Sequence, residues 1–210
     1  MAGKAIVGLG IAAGAVPLLV MLAPDVGTAR ARHLPVERLL AEATVTLLPS
    51  RCAGAVVEDE RHVATVAHCV DGGQMQVALH DGRIVGARVQ LRDRQRDHVL
   101  LELDAPARVR PVPIADDLPA AGATLYFAGR PERPTPPQEI RVTRLAPCPS
   151  LPGVDEAIFT TLHARPGDSG SPLVDRSGAL VGLVHGGARC QISTPTAGLG
   201  ATLRTLAPAG

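Results

Sequence analysis

From residue 43 onward, short apolar runs alternate with polar turns at intervals of roughly ten residues, a rhythm that suits antiparallel strands. Thr44–Leu48, Ala53–Val57 and Val63–Val66 read as strands, with Glu58-Asp59-Glu60-Arg61 as the polar hairpin joining the last two. Gln76–Leu79 and Ile84–Leu91 follow, linked through His80-Asp81-Gly82-Arg83, and Val99–Leu103 reads as a buried strand directly after Asp97. These six form a first unit over about 43–104. Residues 105–119, rich in proline and acidic side chains, suit a linker. Thr124–Ala128, Ile140–Leu145, Ala157–Leu162, Ser171–Val174, Leu180–Val184 and Ala197–Ala201 supply six more strands, in a second unit over about 120–203. Pro131–Pro137 reads as an exposed loop stiffened by proline. Leu203–Leu206 reads as the remnant of a terminal helix, and His33–Glu42 as a short helix or an ordered arm.

Residues 1–31 have the pattern of a leader: Lys4 gives a positive start and residues 5–23 are apolar apart from glycines and Pro17. Gly27, Ala29 and Ala31 offer the small residues at which a signal peptidase cuts. The apolar run also approaches the length of a membrane span, although Pro17 and the abundant glycine and alanine make it a mediocre one. The leader is therefore either a cleaved signal peptide or a retained anchor, and in both cases residues 32–210 are expected outside the cytoplasm, secreted or periplasmic. Contact with a membrane is expected only if the anchor stays.

At 46% hydrophobic and 20% charged over its 210 residues, the chain can bury the core of one globular domain. A formal charge of +1 argues against an electrostatic nucleic-acid binder. Tyr126, Phe127 and Phe159 are the whole aromatic complement, too few for stacking platforms. No metal, nucleotide or organic cofactor motif is visible. Cys52, His62, His68 and Cys69 are of zinc-binding type but lack the paired short spacings of a structural site.

The chemistry concentrates in Pro166-Gly167-Asp168-Ser169-Gly170-Ser171-Pro172. Glycines on both sides of Asp168-Ser169 permit a tight turn that aims two backbone N–H groups at one point, where an oxyanion would form. A serine hydroxyl needs a base to become a nucleophile, and Thr65-Val66-Ala67-His68-Cys69 offers one upstream. Asp97-His98-Val99-Leu100-Leu101 lies between the two. His, Asp, Ser is the chain order of the chymotrypsin-type triad. Over residues 43–203 the chain resembles the trypsin/chymotrypsin superfamily of serine endopeptidases, in particular its compact bacterial branches.

That resemblance implies two antiparallel six-stranded β-barrels with the active site in the cleft between them, and hydrolysis of peptide bonds in protein or peptide substrates through an acyl-enzyme, without a cofactor. It implies His68 as general base, Asp97 as its orienting acid and Ser169 as nucleophile, with the N–H groups of Gly167 and Ser169 as oxyanion hole. Asp93 competes with Asp97, which is preferred because it directly precedes the apolar strand as the family's Asp does. The four cysteines alone permit three pairings; the resemblance implies Cys52 with Cys69, and with it Cys148 with Cys190. Asp168 shapes the loop in the family, but its partner here is unassigned. Ile6-Val7-Gly8, similar to an activating N-terminus, lies too far upstream in the leader. His163 falls where tryptic enzymes carry their selecting acid, so tryptic specificity is not expected. Val184-His185-Gly186-Gly187 matches the strand lining the primary pocket, with His185 in place of the usual Ser. The two histidines and the Gly-Ser-Pro ending resemble bacterial glutamyl endopeptidases, in which an imidazole receives a substrate carboxylate; the other reading is a pocket for small apolar residues. The alternative to an enzyme is a latent or non-catalytic protease-fold protein that binds peptides or partners.

Overall fold

The computed structural model describes residues 36–129, 137–186 and 190–206. The leader and nearly all of the proline-rich loop lie outside these residues. Among those described, no helix is long and apolar enough to cross a membrane.

Residues 36–43 form helix α1, whose Val36, Leu39, Leu40 and Ala43 recur at i, i+3, i+4 and i+7 and are all buried. The first six strands are β1 (Thr44–Leu48), β2 (Ala53–Val57), β3 (His62–Thr65), β4 (Gln74–Ala78), β5 (Ile84–Asp93) and β6 (His98–Leu103). They close into an antiparallel barrel in the order β1-β2-β3-β6-β5-β4. Apart from His62, strands β2 (AGAVV) and β3 (HVAT) carry only small or β-branched side chains, and every one of these residues is buried. The second barrel comprises β7 (Thr124–Phe127), β8 (Gln138–Ala146), β9 (Ala157–Thr160), β10 (Pro172–Val174), β11 (Leu180–Gly186) and β12 (Ile192–Pro195), closed as β10-β11-β12-β9-β8-β7. Helix α2 (Leu199–Leu206) follows. The fold is therefore all-β, two six-stranded antiparallel barrels.

One expected strand is misplaced. Residues 197–201 do not pair: Ala197 and Gly198 make a turn, Gly198 at φ 82°, and α2 begins at Leu199. The sixth strand lies upstream, where Ile192-Ser193-Thr194-Pro195 pairs with both β11 and β9. Pro195 hid that strand from a sequence reading because proline cannot donate to a ladder; here it occupies the strand's last position.

The crossing segment is stapled to both barrels. Val112 forms an isolated parallel bridge to Val57, and Ile114 one to Leu180. The Ile114 N–H also donates to the Glu58 carboxylate at 2.6 Å. A single apolar cluster runs from the first barrel through Ile114, Tyr126, Val174, Leu180 and Leu183 to Leu199 and Leu203 of α2. The two barrels thus share packed core, which fixes the width of the cleft between them.

Candidate active site

The nucleophile segment is built by a turn whose type its own residues dictate. Asp168 N–H donates to the Arg165 carbonyl at 2.9 Å, closing a β-turn with Pro166 and Gly167 at its centre. Proline holds φ near −65° and Gly167 sits at φ 92°, a combination found only in a type II turn. Among the described residues, neither the Gly167 N–H nor the Ser169 N–H is spent on a protein acceptor. The buried Asp168 side chain finds a partner inside the same turn, accepting the Arg165 N–H at 2.7 Å.

The first barrel then holds the turn from outside. Ala53 N–H of β2 donates to the Ser169 carbonyl at 2.8 Å, while Gly170 N–H donates to Val184 of β11 at 2.7 Å. Gly170, at φ 80°, lies so close to β2 and β3 that a Cβ there would overlap the Ala53 carbonyl oxygen and the Thr65 hydroxyl. Sequence alone exposes the need for glycine at 170; it does not show that the reason is a neighbouring barrel.

His68 sits in a 3-10 turn (Ala67–Cys69) at the exit of β3, tied down by the Cys52–Cys69 disulfide. Cys148 and Cys190 form the second disulfide, beside Leu151, Val154 and Ile192. Asp97 lies at the entrance of β6 with φ 57°, a left-handed conformation that Asp tolerates better than most residues. Its Oδ1 accepts the His68 backbone N–H at 2.9 Å and its Oδ2 accepts His68 Nδ1–H at 2.8 Å. That pairing leaves Nε2 of a neutral His68 as an acceptor. Asp93, the competing carboxylate, instead takes the N–H groups of Gln95 and Arg96, both at 2.9 Å, and so shapes the turn that delivers Asp97.

A third side chain converges on Asp97. His185 of β11 places its Nδ1 at 2.5 Å from the same Oδ2, its ring edge-on to that of His68 with centroids 5.2 Å apart. Burial alone would push the Asp97 carboxyl up, but the hydrogen bonds from His185 and His68 outweigh it and hold the group well below the usual carboxylate range. The three side chains are of metal-binding type. Their 2.5 and 2.8 Å separations are nonetheless N–H···O lengths; two ligands of one tetrahedral zinc stand about 3.3 Å apart.

Beside this centre opens a cleft of about 400 Å³ lined by His68, Ala164, Arg165, Pro166, Ser169, Val184, His185, Gly186 and Gln191. His68 and Ser169 face the same space without a hydrogen bond between them; the Ser169 hydroxyl lies 3.5 Å from the His185 carbonyl. Val184, His185 and Gly186 stand on the wall as read from the sequence, and Gly187 lies outside the described residues. His163 is exposed and does not line the cleft. Arg165, Pro166 and Gln191, which sequence reading did not place in the pocket, do line it. The zinc-type quartet is otherwise engaged: its cysteines are bonded together and His62 is held by Asp59 and Gln90.

The profile of the trypsin-like peptidase domain matches residues 52–183. Among curated proteins, the chloroplastic Protease Do-like 1 of Arabidopsis thaliana is 30% identical over 141 residues, covering 62% of this chain and 32% of that protein. The chain thus spans about a third of that relative's length. Among solved structures, the crystal structure of Deg5 superposes with a TM-score of 0.64 at 18% identity, over 84% of this chain and 92% of that one, a likeness of fold.

Proposed function

Because the chain belongs to the trypsin-like peptidase domain family, we propose that it is an exported serine endopeptidase that cleaves peptide bonds through an acyl-enzyme. One observation carries the reading: an imidazole oriented by a buried carboxylate shares a cleft with a serine flanked by two unspent N–H donors. His68 Nε2 takes the Ser169 proton as Oγ attacks the substrate carbonyl, and returns it to the leaving amine. Asp97 fixes the tautomer and stabilises the imidazolium. The N–H groups of Gly167 and Ser169 receive the oxyanion, each such donor being worth roughly 3–4 kcal/mol in comparable sites. Two disulfides support residence in an oxidising compartment outside the cytoplasm. The substrates are proteins or peptides.

A second reading, a latent or peptide-binding relative, draws on the missing His68–Ser169 hydrogen bond, a contact that is often long before substrate binds. Intact mass after treatment with a fluorophosphonate separates the two. A single adduct, lost in Ser169→Ala, is expected; no adduct on the oxidised protein overturns the peptidase reading in favour of the latent one.

A further inference from the structure

We propose that His185 is a second positioning residue of this centre: it shares Asp97 with His68 and holds the carboxylate in place. The inference rests on the serine-peptidase reading for its consequence, though not for its geometry.

The strand itself is built to deliver this side chain. In β11, Val184 pairs with Ser193 and Gly186 with Ile192, so His185 is the unpaired extra residue of a β-bulge. Gly186 supplies the positive φ, 77°, that the bulge needs. Bulges bend a strand and re-aim a side chain, and here the imidazole of this wall residue reaches Asp97. The side chain is only 13% exposed, against 42% for His68, so water competes weakly for its Nδ1. The backbone of the same residue approaches the nucleophile, with its carbonyl 3.5 Å from Ser169 Oγ. His185 therefore touches both ends of the proposed relay.

An ionised carboxylate only accepts. Two Nδ1 atoms within 2.8 Å of one Oδ2 must each carry a proton, which sets the same tautomer on both rings. Asp97 thereby holds both rings, and each ring in turn restrains the carboxylate that orients the other.

The test is the rate of Ser169 modification by a small fluorophosphonate, which has no peptide side chain to seat in the pocket, for the wild type, His185→Ala and His185→Asn. In His185→Ala the rate is expected to fall about tenfold. His185→Asn, which places an amide N–H where Nδ1–H stood, recovers most of the rate. An Ala rate equal to that of the wild type, or a rate lost equally in Asn and Ala, overturns the proposal. Proton NMR of the imidazole N–H groups keeps the two readings apart. Two downfield Nδ1–H signals, one of them absent in His185→Asn, are expected; a single signal unaffected by the substitution overturns the shared carboxylate. Two signals with no modification would sink the peptidase reading and leave the shared carboxylate standing.

Discussion

His98 offers the sharpest quantitative test of how the two barrels are joined. It is 3% exposed at the start of β6, and its Nε2 lies 3.0 Å from the Thr194 hydroxyl of β12. That hydroxyl donates to the Arg96 carbonyl at 2.6 Å, so its oxygen accepts a hydrogen bond from His98 Nε2–H. Burial drives the imidazole down to about 4 from 6.5; Asp93 and Asp97 pull the other way without reversing it. The folded state thus binds fewer protons than the unfolded one between these values. Stability from this group is complete above pH 6.5 and lost as pH falls toward 4. At about 1.4 kcal/mol per unit, a drop of roughly 2.5 units amounts to about 3 kcal/mol. Asp97 acts in a separate window, since its lowered value keeps its stabilisation intact above about 3.8 and removes it only below. Urea denaturation of wild type and His98→Gln at steps from pH 7 to 4 isolates the term. The variant is expected to start less stable and to gain on the wild type by about 3 kcal/mol across the range. Parallel stability curves would refute a neutral, buried His98.

Gly170→Ala is expected to cost about 3 kcal/mol or more, because a Cβ collides with β2 and β3 at a positive φ, and thermal unfolding reads the loss directly. Asp97→Asn keeps a side chain that tolerates φ 57° yet cannot accept every N–H now aimed at it, so Ser169 modification should slow by about 10⁴ while the fold persists; a slowing below tenfold would argue against Asp97 as the orienting acid.

Both barrels were legible in the sequence because the burial of most strands shows as a short run of Val, Leu, Ile and Ala between turn residues. Thr44–Leu48 and Ala53–Val57 have the bounds expected of them. The strand at Ile192–Pro195 was not legible, since Pro195 reads as a breaker and only tertiary pairing with β9 and β11 shows that it ends a strand rather than preventing one. The motif residues around His68, Asp97 and Ser169 stood out for their type and order. What the sequence could not reveal was direction. A histidine after Val184 reads as pocket wall until the bulge is seen, and the bulge is a property of register between strands. The same holds for His163, whose place in the order suggests a pocket but whose side chain is exposed.

Several of the contacts that hold the centre run between the barrels, and that has a consequence for how it forms. Asp97 occupies a left-handed conformation that costs of order 1 kcal/mol or more. It is held there by His68 from its own barrel, by His185 from the other, and by a turn whose Arg96 carbonyl is gripped by Thr194. Gly153, on the second barrel, lies so close to the Gln95 carbonyl that a side chain there could not fit, so the same turn is braced from a second direction. Ser169 in turn has its carbonyl fixed by Ala53 of the first barrel. Neither barrel alone contains all of the restraints that place its own functional groups. Docking of the barrels and completion of the centre are therefore one event, and a change that loosens the interface, such as charging His98, should lower the reactivity of Ser169 before it unfolds either barrel.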